Sequence, residues 1–295
     1  MRLAVSNPGP SPGPRRNPLL AKPLVSEELW ALVQPLLSPP KPRRFRYPGR
    51  KPLDDRKALT GILFILKTGI PWEDLPVEMG CGCGMTCWRR LHAWQQQGVW
   101  FKLYQVLLNH LEDAGKIDWA RAAVESTFAR AFGGVEGSGP NPTDRGRPGV
   151  KQHVLVAAQG IPLAGEVTAA NVPEVKELVP LVDSAGPRDE SGELQRRPEE
   201  VYGDRAYDSE PHREELRQRG VEPKLAERNT EHGSGLGVFR WVAERTISWW
   251  HGFRKLRFVT EKTNPMKYAF FDLALALICF RFVGMSEPQV EPSLC

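Results

Sequence analysis

Apolar residues in the first third of the chain fall at helical spacing. Leu59, Ile62, Leu63 and Leu66 lie at i, i+3, i+4 and i+7 behind Asp54, a residue type that starts helices. Upstream, Ser26 followed by Glu27 and Glu28 reads as an N-cap for a helix carrying Leu29, Trp30, Val33, Leu36 and Leu37. The turn T-G-I-P-W-E-D-L-P ends the second helix at Gly69 and Pro71. A third helix, from Gly84 or Met85, places Cys87, Leu91 and Trp94 on one stripe and Arg89, Arg90, Gln96 and Gln97 opposite it. A fourth runs from about Val99 to Ala114. Residues 26–115 thus predict an all-helical module.

At Lys116 the pattern changes. Asp118–Thr127, Gln152–Ala158 and Ile161–Thr168 read as extended segments, the last two joined at Q-G. A helix over Pro173–Ser184, a polar loop over Pro187–Pro198, a strand over Glu200–Tyr207, a helix over Pro211–Gly220 and a strand over Val221–Ala226 follow. Beyond the glycines Gly233, Gly235 and Gly237 the pattern is helical to Val283. Strands first, then strands alternating with helices, predict an α/β domain with a mixed sheet. The Pro- and Gly-rich stretch 1–25 and the tail 284–295 are expected to be disordered.

With 41% apolar and 25% charged residues the chain has the composition of a globular protein, which excludes collagen and wholly disordered classes. Five cysteines, three of them Cys81, Cys83 and Cys87, do not form a secreted disulfide framework. Nothing before Pro23 resembles a signal peptide. The greasiest stretch, Tyr268–Val283, carries Asp272 and Arg281 and is too short to cross a bilayer. A cytoplasmic protein without membrane association is expected.

The net charge of +5 matters only where it is clustered. Lys41, Arg43, Arg44, Arg46, Arg50 and Lys51 form one acid-free loop. Arg254, Lys255 and Arg257 form a second group, among Trp249, Trp250, Phe253 and Phe258. Cations of this kind attract phosphates and aromatics can stack on splayed bases, although an amphipathic helix with core tryptophans has the same composition.

Three acids stand out by position. Glu125 is expected at the end of the first strand of the mixed region, Asp204 at the end of a later strand after the apolar Val201-Tyr202, and Glu244 on the helix after the glycines. Carboxylates emerging from neighbouring strands converge on the crevice where open sheets bind ligands. A third from a helix completes an all-oxygen cage for Mg²⁺ or Mn²⁺, and two such ions can activate water or a 3′-hydroxyl against a phosphodiester. By spacing alone, three solvated surface acids account for the pattern at least as well. Arg240 lies one helical turn before Glu244, and His251 lies seven residues after it on nearly the same face.

The strings G-P-N-P-T-D-R-G-R-P-G-V-K-Q-H, A-Q-G-I-P-L-A, A-N-V, Y-G-D-R-A-Y-D-S and W-V-A-E-R-T-I-S-W-W-H-G-F-R-K-L-R occur in that order. Together with F-R-Y-P-G-R-K-P-L-D-D-R and C-G-C-G-M-T-C-W-R-R-L they resemble the DDE transposases of bacterial insertion elements, specifically the insertion sequence five family. The resemblance spans roughly residues 26–283.

It implies a ribonuclease H-like mixed sheet with flanking helices over 116–283, preceded by an all-helical DNA-binding domain over 26–115. It also implies DNA cleavage and strand transfer with two divalent ions, Mg²⁺ or Mn²⁺. By position Asp204 matches the second aspartate, Glu244 the glutamate, and Arg240 and His251 the basic residues around it. The implied partners are the element's terminal inverted repeats and target DNA, bound by a homodimer or higher oligomer that is nucleoid-associated while on DNA.

The family has aspartate where this chain has Glu125. The extra methylene displaces the carboxylate or lets it fold back, so a relic that binds DNA without cutting it is the alternative. Arg43, Arg44, Arg46, Arg50, Lys51, Arg89, Arg90, Arg254, Lys255 and Arg257 are the expected DNA contacts. The cluster C-G-C-G-M-T-C has the wrong spacing for a zinc site and is expected to supply buried thiols.

Overall fold

Ser26 caps the first helix as its position predicts. In the computed structural model its hydroxyl accepts from the Leu29 N–H at 3.2 Å and starts α1 (Glu27–Val33). The structure describes residues 23–39, 45–47, 49, 51–189, 191–229 and 237–284. The leader before residue 23, Arg43, Arg44, Arg50, Gly233, Gly235 and the tail after Gly284 lie outside the described residues. Val25, expected in the leader, is buried in the core.

Asp54 accepts from the Lys57 N–H at 3.0 Å and opens α2 (Asp55–Thr68), which ends at left-handed Gly69. Helices α3 (Gly84–Gln96) and α4 (Val99–Asp113) follow, and the predicted apolar stripes of all three face inward. Gly84 is required where α3 crosses the preceding turn, because a Cβ there would lie 1.7 Å from the Trp72 carbonyl oxygen.

The mixed region contains β1 (Arg121–Ala131), β2 (Gly139–Pro140), β3 (Pro148–Ala157), β4 (Pro162–Ala169), α5 (Leu178–Asp183), β5 (Glu200–Gly203), α6 (Glu210–Gln218) and β6 (Glu222–Leu225). Then come α7 (Gly237–His251), α8 (Arg254–Arg257), β7 (Phe258–Val259) and α9 (Asn264–Val283). β3 runs antiparallel to both β1 and β4, whereas β5 runs parallel to β1 and β6 parallel to β5. The resulting order β4-β3-β1-β5-β6, with three antiparallel strands and two parallel ones, is the ribonuclease H-like arrangement expected.

Of the boundaries that differ from the sequence reading, including β3, which starts at Pro148 rather than Gln152, three shape the site. The first strand continues to Ala131, because its end pairs with β7 as well as β3. The strand expected over Glu200–Tyr207 stops at Gly203, where the Asp204 carboxylate accepts from the Ala206 N–H at 2.9 Å and turns Arg205–Tyr207 into a 3-10 turn. The stretch from Gly237 to Val283, expected to be helical throughout, breaks between His251 and Asn264. There β7 joins the sheet, and Pro265 at the first turn of α9 starts a new helix.

The alternation of β1 divides its side chains between two environments. Ala122 and Val124 enter the main core, whereas Ala123 faces a smaller cluster with Val154, Val156, Tyr202, Val242 and Ala243 under α7. α9 packs against α3, α4 and β4, so the amino-terminal helices and the sheet share one apolar core. No helix among the described residues is long and apolar enough to cross a membrane.

Candidate active site

Ala123 on β1 is in register with Tyr202 on the parallel strand β5. Two residues further on come Glu125, still within β1, and Asp204, one residue past the end of β5 and still in extended backbone. Period two returns both positions to the face under α7, and adjacent strands lie only about 4.8 Å apart. The two acids are therefore neighbours.

Each carboxylate is held locally. Glu125 Oε2 lies 2.8 Å from Arg240 Nη2 on α7, and its Oε1 accepts from the adjacent Ser126 N–H at 3.1 Å. Burial pushes the Glu125 pKa up, the hydrogen bond and charge of Arg240 oppose that shift, and the nearby charge of Asp204 adds to it. Asp204 caps the 3-10 turn that follows it. Its neighbour Asp208, in the same motif, is occupied elsewhere: it pairs with Arg213 at 2.7 Å and accepts from the Arg228 N–H at 2.7 Å.

α7 crosses above β1 and reaches it twice, through Arg240 and through His251, whose Nε2 is 3.2 Å from Thr127 Oγ1. Burial, and secondarily the charge of Arg257, lower the His251 pKa and so favour its neutral form. Glu244, one turn after Arg240, is exposed. Among the described residues no three His, Cys, Asp or Glu side chains gather closely enough to hold a metal ion. The structure thus brings together Glu125, Asp204 and Arg240, adds His251 further along the strand, and leaves Glu244 at the surface above them. The donor set is oxygen only, which suits a hard divalent cation.

Tyr207 is missing from the sequence-derived set. Its hydroxyl is buried in the main core, and burial followed by the charges of Glu125 and Asp204 drives its pKa far above the usual range. The available signal was its place in Y-G-D-R-A-Y-D-S, three residues after the acid.

Among the expected DNA contacts, Arg46, Lys51, Arg89, Arg254 and Arg257 are exposed. Arg90 is tied to Asp55 at 3.1 Å and donates to the Leu53 carbonyl at 3.3 Å. Lys255 does not face DNA. It is buried, 2.9 Å from Glu261 Oε1 and 2.8 Å from Thr260 Oγ1, because α8 turns it inward beneath the Trp72 loop. Cys81 and Cys87 are buried as expected, whereas Cys83 is exposed. Trp250 is buried and Trp249 partly buried, each against α9, which makes them core residues.

The chain matches the family described as "Transposase DDE domain" over residues 120–279, and that described as "Putative transposase of IS4/5 family" over residues 25–104. It is similar to two proteins of Burkholderia cepacia. One is the insertion element IS402 uncharacterized 16.2 kDa protein, 57% identical over 42% of this chain and 84% of that protein. The other is the "Putative transposase for insertion sequence element IS402", 53% identical over 52% of this chain and 73% of that protein. Among solved structures, the catalytic domain of Mos1 mariner transposase aligns at 10% identity with a TM-score of 0.25, over 63% of this chain and 96% of that one. The chain belongs to the DDE transposase family of insertion elements.

Proposed function

We propose that this transposase binds the terminal inverted repeats of its element, as a homodimer or higher oligomer, and cleaves and joins DNA with Mg²⁺ or Mn²⁺, for which Glu125, Asp204 and Glu244 would be the ligands once Glu244 is brought to the other two. The observation that supports this reading is that Glu125, on β1 and paired with Arg240 of α7, and Asp204, just past the end of the parallel strand β5, stand near enough for the charge of one to act on the other. Divalent ions bound there would supply Lewis-acid activation of the attacking oxygen and of the phosphodiester. Arg240, which pairs with Glu125 here, would be placed to offer its guanidinium to a phosphate if divalent ions neutralised that carboxylate. His251, hydrogen-bonded to Thr127, would exchange a hydrogen bond with the DNA backbone.

A second reading, a DNA binder that no longer cuts, is favoured by one observation. Both oxygens of Glu125 are already engaged, by Arg240 and by its own neighbour's N–H. Incubating the full chain with an end-containing duplex and Mn²⁺ or Mg²⁺ separates the two. Cleavage that Asp204→Ala abolishes, with DNA binding retained, supports the enzyme. Binding without cleavage in either metal supports the relic, and absence of DNA binding overturns both.

A further inference from the structure

The pair between Arg240 and Glu125 leaves half of the guanidinium edge unused. Nη2 donates to Glu125 Oε2 at 2.8 Å, while Nε is buried with no hydrogen-bond partner among the described residues. Nε–H and Nη2–H point the same way and form the fork with which arginine takes two oxygens of one anion. Here that fork is set for two oxygens and meets one. A buried donor on a charged group is costly to leave unpaired, so this arrangement favours exchange for a better-matched anion.

The rest of α7 is anchored independently. Thr246 Oγ1 donates to the Gly160 carbonyl at 2.8 Å, Arg245 donates to the Gln159 carbonyl, and His251 meets Thr127 at 3.2 Å. All three lie after Arg240, so the exchange needs a side-chain movement and no displacement of the helix. Arg245 is also stacked against Trp241 and Trp249, and these commitments keep it from replacing Arg240 at Glu125. Glu244 lies about 40° around the helix from Arg240. Glu125 itself is 16% exposed, where solvent screens charge poorly. A guanidinium and a divalent ion at that one carboxylate would repel each other.

We propose that Arg240 is a built-in counter-ion that keeps divalent ions off Glu125 until a phosphodiester takes its guanidinium, so that metal and DNA bind this site cooperatively. The proposal rests on the catalytic reading above and adds its regulation. Without DNA, Glu125 is competent to hold a metal only in the fraction of molecules in which Arg240 has let go, and the apparent metal affinity falls by that fraction. A phosphate that occupies both Nε and Nη2 raises the fraction, and by linkage bound metal tightens DNA in turn.

Mn²⁺ binding by the full chain, followed through the electron paramagnetic resonance of unbound Mn²⁺, tests this with and without an end-containing duplex. Without DNA, Arg240→Gln should bind Mn²⁺ about ten- to a hundredfold more tightly than the parent, the usual range of coupling between two sites. The duplex, after subtraction of what it binds alone, should tighten the parent by a similar factor and leave Arg240→Gln unchanged. Arg240→Lys keeps a charge at Glu125 and loses the fork, so it should bind Mn²⁺ as weakly as the parent and respond less to DNA. Circular dichroism at the measuring temperature establishes that each variant is folded. Equal affinities of parent and folded Arg240→Gln without DNA would overturn the proposal. So would a parent that binds the duplex with no gain in Mn²⁺ affinity, a result that needs no variant. A different failure marks the underlying reading: if Asp204→Ala on the duplex binds Mn²⁺ as tightly as the parent, these acids hold no metal.

Discussion

Arg240 on α7 and Glu125 on β1 form an ion pair of 2.8 Å in which both side chains are less than one-fifth exposed. This pair ties α7 to β1. Arg240→Gln leaves a buried carboxylate with only the Ser126 N–H for support. It should lower stability by about 1.5–3 kcal/mol, the scale for a hydrogen bond to a charged group. Urea unfolding midpoints of the single variant and of Glu125→Gln/Arg240→Gln check this, since the double variant should recover part of the loss.

Shortening Glu125 should improve chemistry. In Glu125→Asp the carboxylate can no longer fold back onto the Ser126 N–H and is set closer to the strand. Cleavage of an end-containing duplex in Mg²⁺ should rise at least about tenfold, equivalent to about 1.4 kcal/mol in the barrier. A smaller gain is expected in Mn²⁺. Equal rates for parent and variant in Mg²⁺ would show that the extra methylene is tolerated.

A pH dependence should arise far from the active site. Asp272 on α9 packs against α3, where Gln95 Nε2 donates to it at 3.4 Å. Burial pushes its pKa up to about 7, the Gln95 bond opposes this, and Glu166 adds to it. The folded state thus holds this proton more tightly than the unfolded chain. The stability so gained is full below about pH 4 and is lost as the pH rises through 7. The parent should lose up to about 4 kcal/mol across that window from this group, and Asp272→Asn should flatten the slope. Thermal midpoints measured from acid to neutral pH decide it.

The contact between the T-G-I-P-W loop and the catalytic region depends on one buried acid. Glu261 Oε1 accepts from Trp72 Nε1 at 3.1 Å and pairs with Lys255 at 2.9 Å. Glu261→Leu strands a buried ammonium and should cost about 3–5 kcal/mol. Adding Lys255→Met should restore most of it, which chemical denaturation of the two variants would reveal.

Local signals made the helices legible. Ser26 and Asp54 cap as their types predict, and the i, i+3, i+4 stripe of Leu59, Ile62, Leu63 and Leu66 is the buried face. Glu125, Asp204 and Arg240 were legible from position and family pattern. Lys255 was not, because R-K-L-R reads as surface charge until Glu261 and the distant Trp72 are seen around it. The end of β5 was hidden for a similar reason: Asp204 bends the chain with its own side chain, and strand propensity carries no record of that. β7 is only two residues long and exists through its partner strand, below any periodicity a sequence can display.

α9 imposes an order on synthesis. It is the last described element to leave the ribosome, yet it packs against α3 and α4 near the start and β4 in the middle. Helices made early must wait, with one apolar flank uncovered, until residues 264–283 emerge. Nascent chains stalled before residue 264 should therefore be substrates for chaperones and proteases, and competence to act on DNA should arrive only once translation has passed that helix.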